Sequence, residues 1–322
     1  MKDRHPGCVL VLAAAAAVLL LAGCGVPSAS EGGDDSSFPR SQAMVVVASE
    51  RSRYEKAYTD AIWDTVLADG TTFETYLLEQ IQGFLKDVKT MNLLAEEQEI
   101  SVTSAERDRL RQLAETYYAG MSEGDLAWTG ADQEDVEAIY EAYFLANKAA
   151  GELTRHVDLE DSDSEAKVIV IKQLRFDSEE EAAAVWETLQ QENADFETAG
   201  RDGGAEPEQR PLARGEETAS FEEAAFALAS GEISAPVESG GSWYLIQCVS
   251  DYDPEATSQR KTRIYAERKN QVFQQIYNQF QSEHPLQFSD QMWTEIVFSD
   301  MDGVQADQFF SLYQEEFGSQ GY

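Results

Sequence analysis

Residues able to do nucleophilic or metal chemistry are few in this sequence. Cysteine occurs at positions 8, 24 and 248, and histidine at 5, 156 and 284. Three cysteines cannot build a disulfide framework, and three scattered histidines leave too little material for a zinc site. No metal and no cofactor is therefore expected. Asp161-Ser162-Asp163-Ser164-Glu165 presents carboxylates as a calcium loop would, but without the glycine and the ligand spacing of an EF-hand. It reads as a solvated linker. Cys248 sits in an apolar run and reads as a small buried hydrophobe. Cys24 is different. It follows Ala22-Gly23 at the end of an apolar run, and small residues before it fit a peptidase cleft. Its thiolate is the nucleophile that could accept a thioether-linked group.

The run behind Cys24, Cys8 to Leu21, is preceded by Lys2 and Arg4. Fourteen residues are too short to span a bilayer but suit the apolar core of an export signal. Leu21-Ala22-Gly23-Cys24 resembles a bacterial lipobox. The resemblance implies cleavage before Cys24, a diacylglycerol on its sulfur and retention outside the cytoplasm, with two acyl chains for stable anchoring. Residues 1–23 are thus expected as a lipoprotein signal peptide and Cys24 as the lipidation site. Residues 24–42, rich in Gly, Ser, Pro and Asp, are expected as a flexible tether to the membrane.

The chain has 322 residues and a formal net charge of −36, from 24 Lys+Arg against 60 Asp+Glu. Such a surface repels a phosphate backbone, which excludes nucleic acid as a partner. Hydrophobic residues at 43% and aromatics at 10% are nonetheless enough for packed cores, so the acidity reads as a solubility device.

The elements follow from periodicity. Residues 43–49 (AMVVVAS) form a short β-branched run that reads as strand-like. Tyr54, Tyr58, Ile62 and Val66 then recur at helical spacing over 51–67. Asp69-Gly70 marks a turn, and Thr71 with Glu74 suggests a capping box for a helix to about Glu96. Thr103 with Glu106 suggests a second box, opening a helix to about Met121, and another helix is predicted over 133–153. Residues 50–155 therefore read as about four helices. Near Lys167 the pattern changes. Val168-Ile169-Val170-Ile171 begins a strand to 176, Ser178–Gln191 is an amphipathic helix, and 200–218, with its glycines and prolines, reads largely as loop. Ser220 with Glu223 suggests a cap for a short helix to Leu228, and 242–250 (SWYLIQCVS) is a second strand. A long polar helix is predicted over 256–282, ended by Pro285. Residues 286–298 should dock on a core through Trp293 and Phe298, leaving 299–322 as a loosely held acidic and aromatic tail with room for one short helix.

This order resembles the PrsA/SurA-type extracytoplasmic foldases, and its β/α unit resembles a parvulin-type (PpiC, rotamase) peptidyl-prolyl isomerase domain. Asp195-Phe196 and Arg214-Gly215-Glu216 carry part of the resemblance. So do Phe221-Glu222-Glu223-Ala224-Ala225-Phe226-Ala227-Leu228, Gly231-Glu232-Ile233-Ser234-Ala235-Pro236-Val237 and Trp243-Tyr244-Leu245-Ile246. It implies an α+β protein: a mainly helical chaperone domain from 43–160 and 252–298, with the parvulin-like domain inserted at 165–250. It also implies a proline pocket with Phe221 as a wall and Leu212 and Glu217 in peptide contact. Gln173, Glu208 and Tyr244 take the catalytic polar positions. Gln173 and Tyr244 stand where the family usually has a pair of histidines, and no histidine lies between 165 and 250. Gln and Tyr can keep a hydrogen bond across the sheet, so the fold can survive the change.

Rotation about an X–Pro bond needs no nucleophile. Its barrier of ~18–20 kcal/mol is amide resonance, and a catalyst must hold the ring and favour the twisted amide. The resulting expectation is a lipid-anchored foldase for unfolded exported polypeptides, whose isomerase turnover is weak or lost while peptide binding survives. An active prolyl isomerase and a non-catalytic surface binding lipoprotein are the alternative readings.

Overall fold

A computed structural model describes residues 37–156, 163–286, 288–298 and 303–318. The expected signal peptide, Cys24 and most of the tether lie outside the described residues. The chain divides into two compact units. Among the described residues, one comprises 37–156 with those from 272 onward, and the other comprises 163–271. No helix among the described residues is long and apolar enough to cross a membrane.

The first unit is helical. It opens with α1 (Arg40–Tyr58), α2 (Phe73–Glu97), α3 (Ser104–Ala119), α4 (Glu123–Thr129) and α5 (Gln133–Leu153). The run 43–49, expected as a strand, lies inside α1. Residues Ala43 to Ser52 are buried around the whole helix, and a helix buried on every side shows no 3.6-residue period. The spacing that suggested a helix to Leu67 also misleads. Thr59, at φ +66°, ends α1, and Tyr58 and Val66 are exposed. The helix start predicted at Thr71 moves by one residue. Asp69 holds Thr71 in the turn by accepting from its N–H and its hydroxyl, so Thr72 caps α2 by accepting from the Thr75 N–H. The Glu74 carboxylate instead accepts from the Phe298 N–H at 2.9 Å. The Thr103–Glu106 box forms as predicted. Helix α4, capped by Ser122 with Asp125, is an element the periodicity does not reveal because it is only seven residues long.

The second unit begins with α6 (Asp163–Ala166) and β1 (Val168–Phe176), then α7 (Glu179–Leu189) and α8 (Phe196–Asp202). It continues with β2 (Glu208–Ala213), α9 (Ala219–Ala227), β3 (Val237–Ser239) and β4 (Ser242–Ser250). Helix α10 (Pro254–Glu283) carries the chain from this unit back to the first, where α11 (Gln291–Thr294) and α12 (Phe309–Phe317) follow. The four strands make an antiparallel sheet in the order β2-β1-β4-β3, so the two strands read from sequence are direct neighbours. The stretch 200–218 is loop on either side of one strand that the sequence did not show. It contains the end of α8 and strand β2, which tolerates Pro211 because it lies at the sheet edge. Gly200 lets α8 approach β1. A Cβ there would lie 2.3 Å from the Leu174 side chain.

The described part of the segment expected as a loose tail, 303–318, is core. In the first unit, Phe309 is wholly buried, its ring stacks on Tyr140 with centroids 4.2 Å apart, and its carbonyl accepts from the Tyr140 hydroxyl at 2.9 Å. Tyr313 and Phe317 are buried beside it. Residues 288–298 dock as expected. Trp293 and Phe298 are buried, and the Arg51 guanidinium donates to the Phe298 carbonyl at 3.0 and 3.1 Å.

Candidate peptide-binding site

Side chains alternate across a strand, so the register decides which residues meet. In the second unit Ile169, Ile171 and Gln173 of β1 face one side of the sheet. Their partners on β2 are Leu212, Arg210 and Glu208, and Tyr244 and Ile246 of β4 complete that face. Helix α9 covers it with Phe221 and Ala225, which join Ile169, Ile171, Leu212 and Ile246 in one apolar cluster. Helices α7 and α8 cover the opposite side over Leu174, Phe176 and Leu245.

Helix α9 is set in place by a cap two residues earlier than Ser220 with Glu223 would place it. Thr218 accepts from the Phe221 N–H, while the Ser220 hydroxyl donates to the Glu238 carbonyl. The Glu222 carboxylate accepts from the N–H groups of Gly215 and Glu217, which fixes the loop leading into the helix. Phe221 is thereby held against the sheet.

The residues expected in the site do come together, but with different partners. Gln173 lies opposite Ile246, so Tyr244 is its diagonal neighbour on the same face. The two are not hydrogen-bonded to each other as expected. The Gln173 amide donates to the Glu208 carboxylate at 3.0 Å and accepts from Arg210 at 3.4 Å. Tyr244 instead turns its ring edge-on to Phe221. The reason is position: β2 brings a carboxylate and a guanidinium directly alongside the Gln173 amide.

Phe221, expected as an open pocket wall, is only 1% exposed, and Leu212 is fully buried beneath it. Arg210 lies over the Phe221 ring, its guanidinium carbon 5.8 Å from the centroid, and forms an ion pair with Glu217. Arg210 is thus a residue of the site that sequence reasoning missed. The sequence carried no signal for it, because residues 208–213 read as loop and their pairing with β1 is non-local. A cleft of about 380 Å³ in the same unit belongs to the other sheet face, lined by Val168, Pro211, Ala213, Ala256, Gln259 and Arg263 among others. No group among the described residues gathers three or more side chains that could hold a metal ion. The Cys248 thiol is buried, and desolvation raises its pKa, with Asp251 adding to the effect, which leaves it a poor nucleophile.

Residues 131–258 match the family model described as the PPIC-type PPIase domain. Over these residues the chain is similar to a PPIC-type PPIase domain. The match spans α5, the whole sheet with its helices and the first turn of α10. A comparison with curated proteins finds no match. Among solved structures, the chain is similar to a peptidylprolyl isomerase (PrsA) from Bacillus anthracis, at 20% identity and a TM-score of 0.27, over 64% of this chain and 100% of that one. A PrsA from Bacillus cereus is similar at 16% identity and a TM-score of 0.34, over 77% and 97% of the two chains. The foldase protein PrsA from Lactococcus lactis gives 13% and 0.34, over 79% and 96%.

Proposed function

We propose that this protein is an extracytoplasmic foldase, tethered by a lipid on Cys24, that binds unfolded exported polypeptides. Its PPIC-type domain holds X–Pro segments at the Phe221 face, with weak isomerase turnover. One observation carries the reading: the PPIC-type domain keeps its apolar ring at Phe221 while the polar positions beside it hold Gln173 and Tyr244, without histidine. Proline recognition needs the apolar ring, whereas lowering the amide barrier needs polar groups aimed at the twisted bond. Gln173 is engaged by Glu208 and Arg210, and so is poorly placed to serve a substrate. In the first unit, helices α1 to α5 with α11 and α12 supply a scaffold for holding client chains.

The test has two arms. The purified protein should suppress aggregation of an unfolded secreted client near equimolar ratio, and a protease-coupled proline-peptide assay should give rates close to background. Absence of suppression would remove the foldase reading. Fast turnover would favour an active isomerase as the main role.

A further inference from the structure

Resting on the reading of Phe221 as the proline site, we infer that Arg210 sets its specificity: the guanidinium stands in for a cationic ligand residue, and the site takes X–Pro segments with Lys or Arg next to the proline. Three contacts fix Arg210 in this role. It pairs with the Glu217 carboxylate, donates to the Gln173 amide oxygen at 3.4 Å and covers the face of Phe221. Its side chain keeps 21% of its surface exposed, so it can swing outward without crossing the core. Phe221 then becomes accessible from the side Arg210 now occupies.

The exchange is unequal for different ligands. Arg210 leaves behind the carboxylate of Glu217, with Glu208 on the same strand face. A ligand lysine or arginine restores the lost ion pair while its neighbouring proline takes the place over the ring. A neutral residue leaves Glu217 without its cation, and an acidic one adds repulsion. Glu216 and Glu222 are already engaged by backbone N–H groups of Ala213, Gly215 and Glu217, so they hold the loop rather than the ligand. Because an internal cation must first be displaced, wild-type affinity is reduced by the fraction of molecules in which Arg210 is swung out.

Labelled peptides Ala-X-Pro-Phe with X as Arg, Ala or Glu test this on the purified protein, with binding followed by fluorescence anisotropy and by NMR shifts of the Phe221 and Tyr244 rings. Circular dichroism checks that each variant is folded. The expected order is Arg, then Ala, then Glu. Arg210→Ala should tighten the Arg peptide roughly fivefold, the effect of removing a competing surface pair, and Glu217→Gln should erase the preference. Binding that is tightened by Arg210→Ala but indifferent to X overturns the inference and leaves the proline site standing. No ring shift with any peptide, in wild type or in folded Arg210→Ala, overturns the proline site itself and the inference with it.

Discussion

The ring of Tyr244 meets that of Phe221 edge-on, with centroids 5.3 Å apart and planes inclined at 85°. This arrangement places the positive edge of one ring on the negative face of the other and is worth ~0.5–1.5 kcal/mol beyond area burial. Tyr244 is therefore a support of the apolar site as well as a polar group near it. Tyr244→Phe keeps the ring pair and should leave unfolding of the second unit within about 0.5 kcal/mol of wild type. Tyr244→Ala should cost at least about 1 kcal/mol by chemical denaturation. Equal stability of the two variants would show that the ring pair does not support the domain.

Much of this domain was legible because its sequence signals are local. The β-branched run from Val168, the amphipathic period of Ser178–Gln191 and the apolar run of 242–250 each announce one element, and β1 and β4 pair directly. What was hidden depends on non-local packing. Strand β2 reads as loop because Pro211 is compatible with a strand only at an edge, and no local pattern states that it is one. Gly200 reads as a loop breaker, whereas it is a point of close approach between α8 and Leu174. Gln173, Glu208 and Tyr244 share one sheet face, but their partners were not legible. Arg210 and Glu208 reach Gln173 through the β1–β2 register, which the sequence does not contain.

Gln173 and Tyr244 are diagonal neighbours on one sheet face, on adjacent strands. Imidazoles at both positions would be within side-chain reach of each other. The double variant Gln173→His with Tyr244→His should therefore raise proline-peptide isomerisation at least about tenfold over wild type, equivalent to about 1.4 kcal/mol of barrier. The protease-coupled assay reads this directly. A folded double variant with unchanged rate would mean that the polar positions are not what limits turnover.

The C-terminal helix α12 should be needed for stability of the helical unit. Phe309 has no exposed surface and touches Tyr140, Tyr117 and Tyr143 through ring contacts. Phe309→Ala leaves a cavity that these rings cannot fill, and should cost about 3–5 kcal/mol. Hydrogen exchange should show the loss spreading to α5, whose Tyr140 hydroxyl bonds the same residue. A cost below about 1 kcal/mol would indicate that the tail is dispensable to the core.

The charge state of Glu106 should also be visible in the stability of the helical unit. Burial pushes its pKa up, but the Lys148 ammonium and the Thr103 N–H and hydroxyl outweigh burial and hold the carboxyl below the usual glutamate value of 4.5. The ammonium lies 2.7 Å away, and the Thr103 N–H donates to the same oxygen at 2.7 Å. A depressed folded-state pKa means that the unfolded chain binds the proton more readily. The stabilisation is thus fully present above about pH 4.5 and is lost as the pH falls through the lower folded-state value. Glu106→Gln keeps an acceptor for the capping box but removes the charge. It should destabilise the unit by about 1 kcal/mol at neutral pH, as a partly buried ion pair would. The gap between wild type and variant should close on acidification through that range. A gap that does not change with pH would place the contribution of Glu106 in packing rather than in its charge.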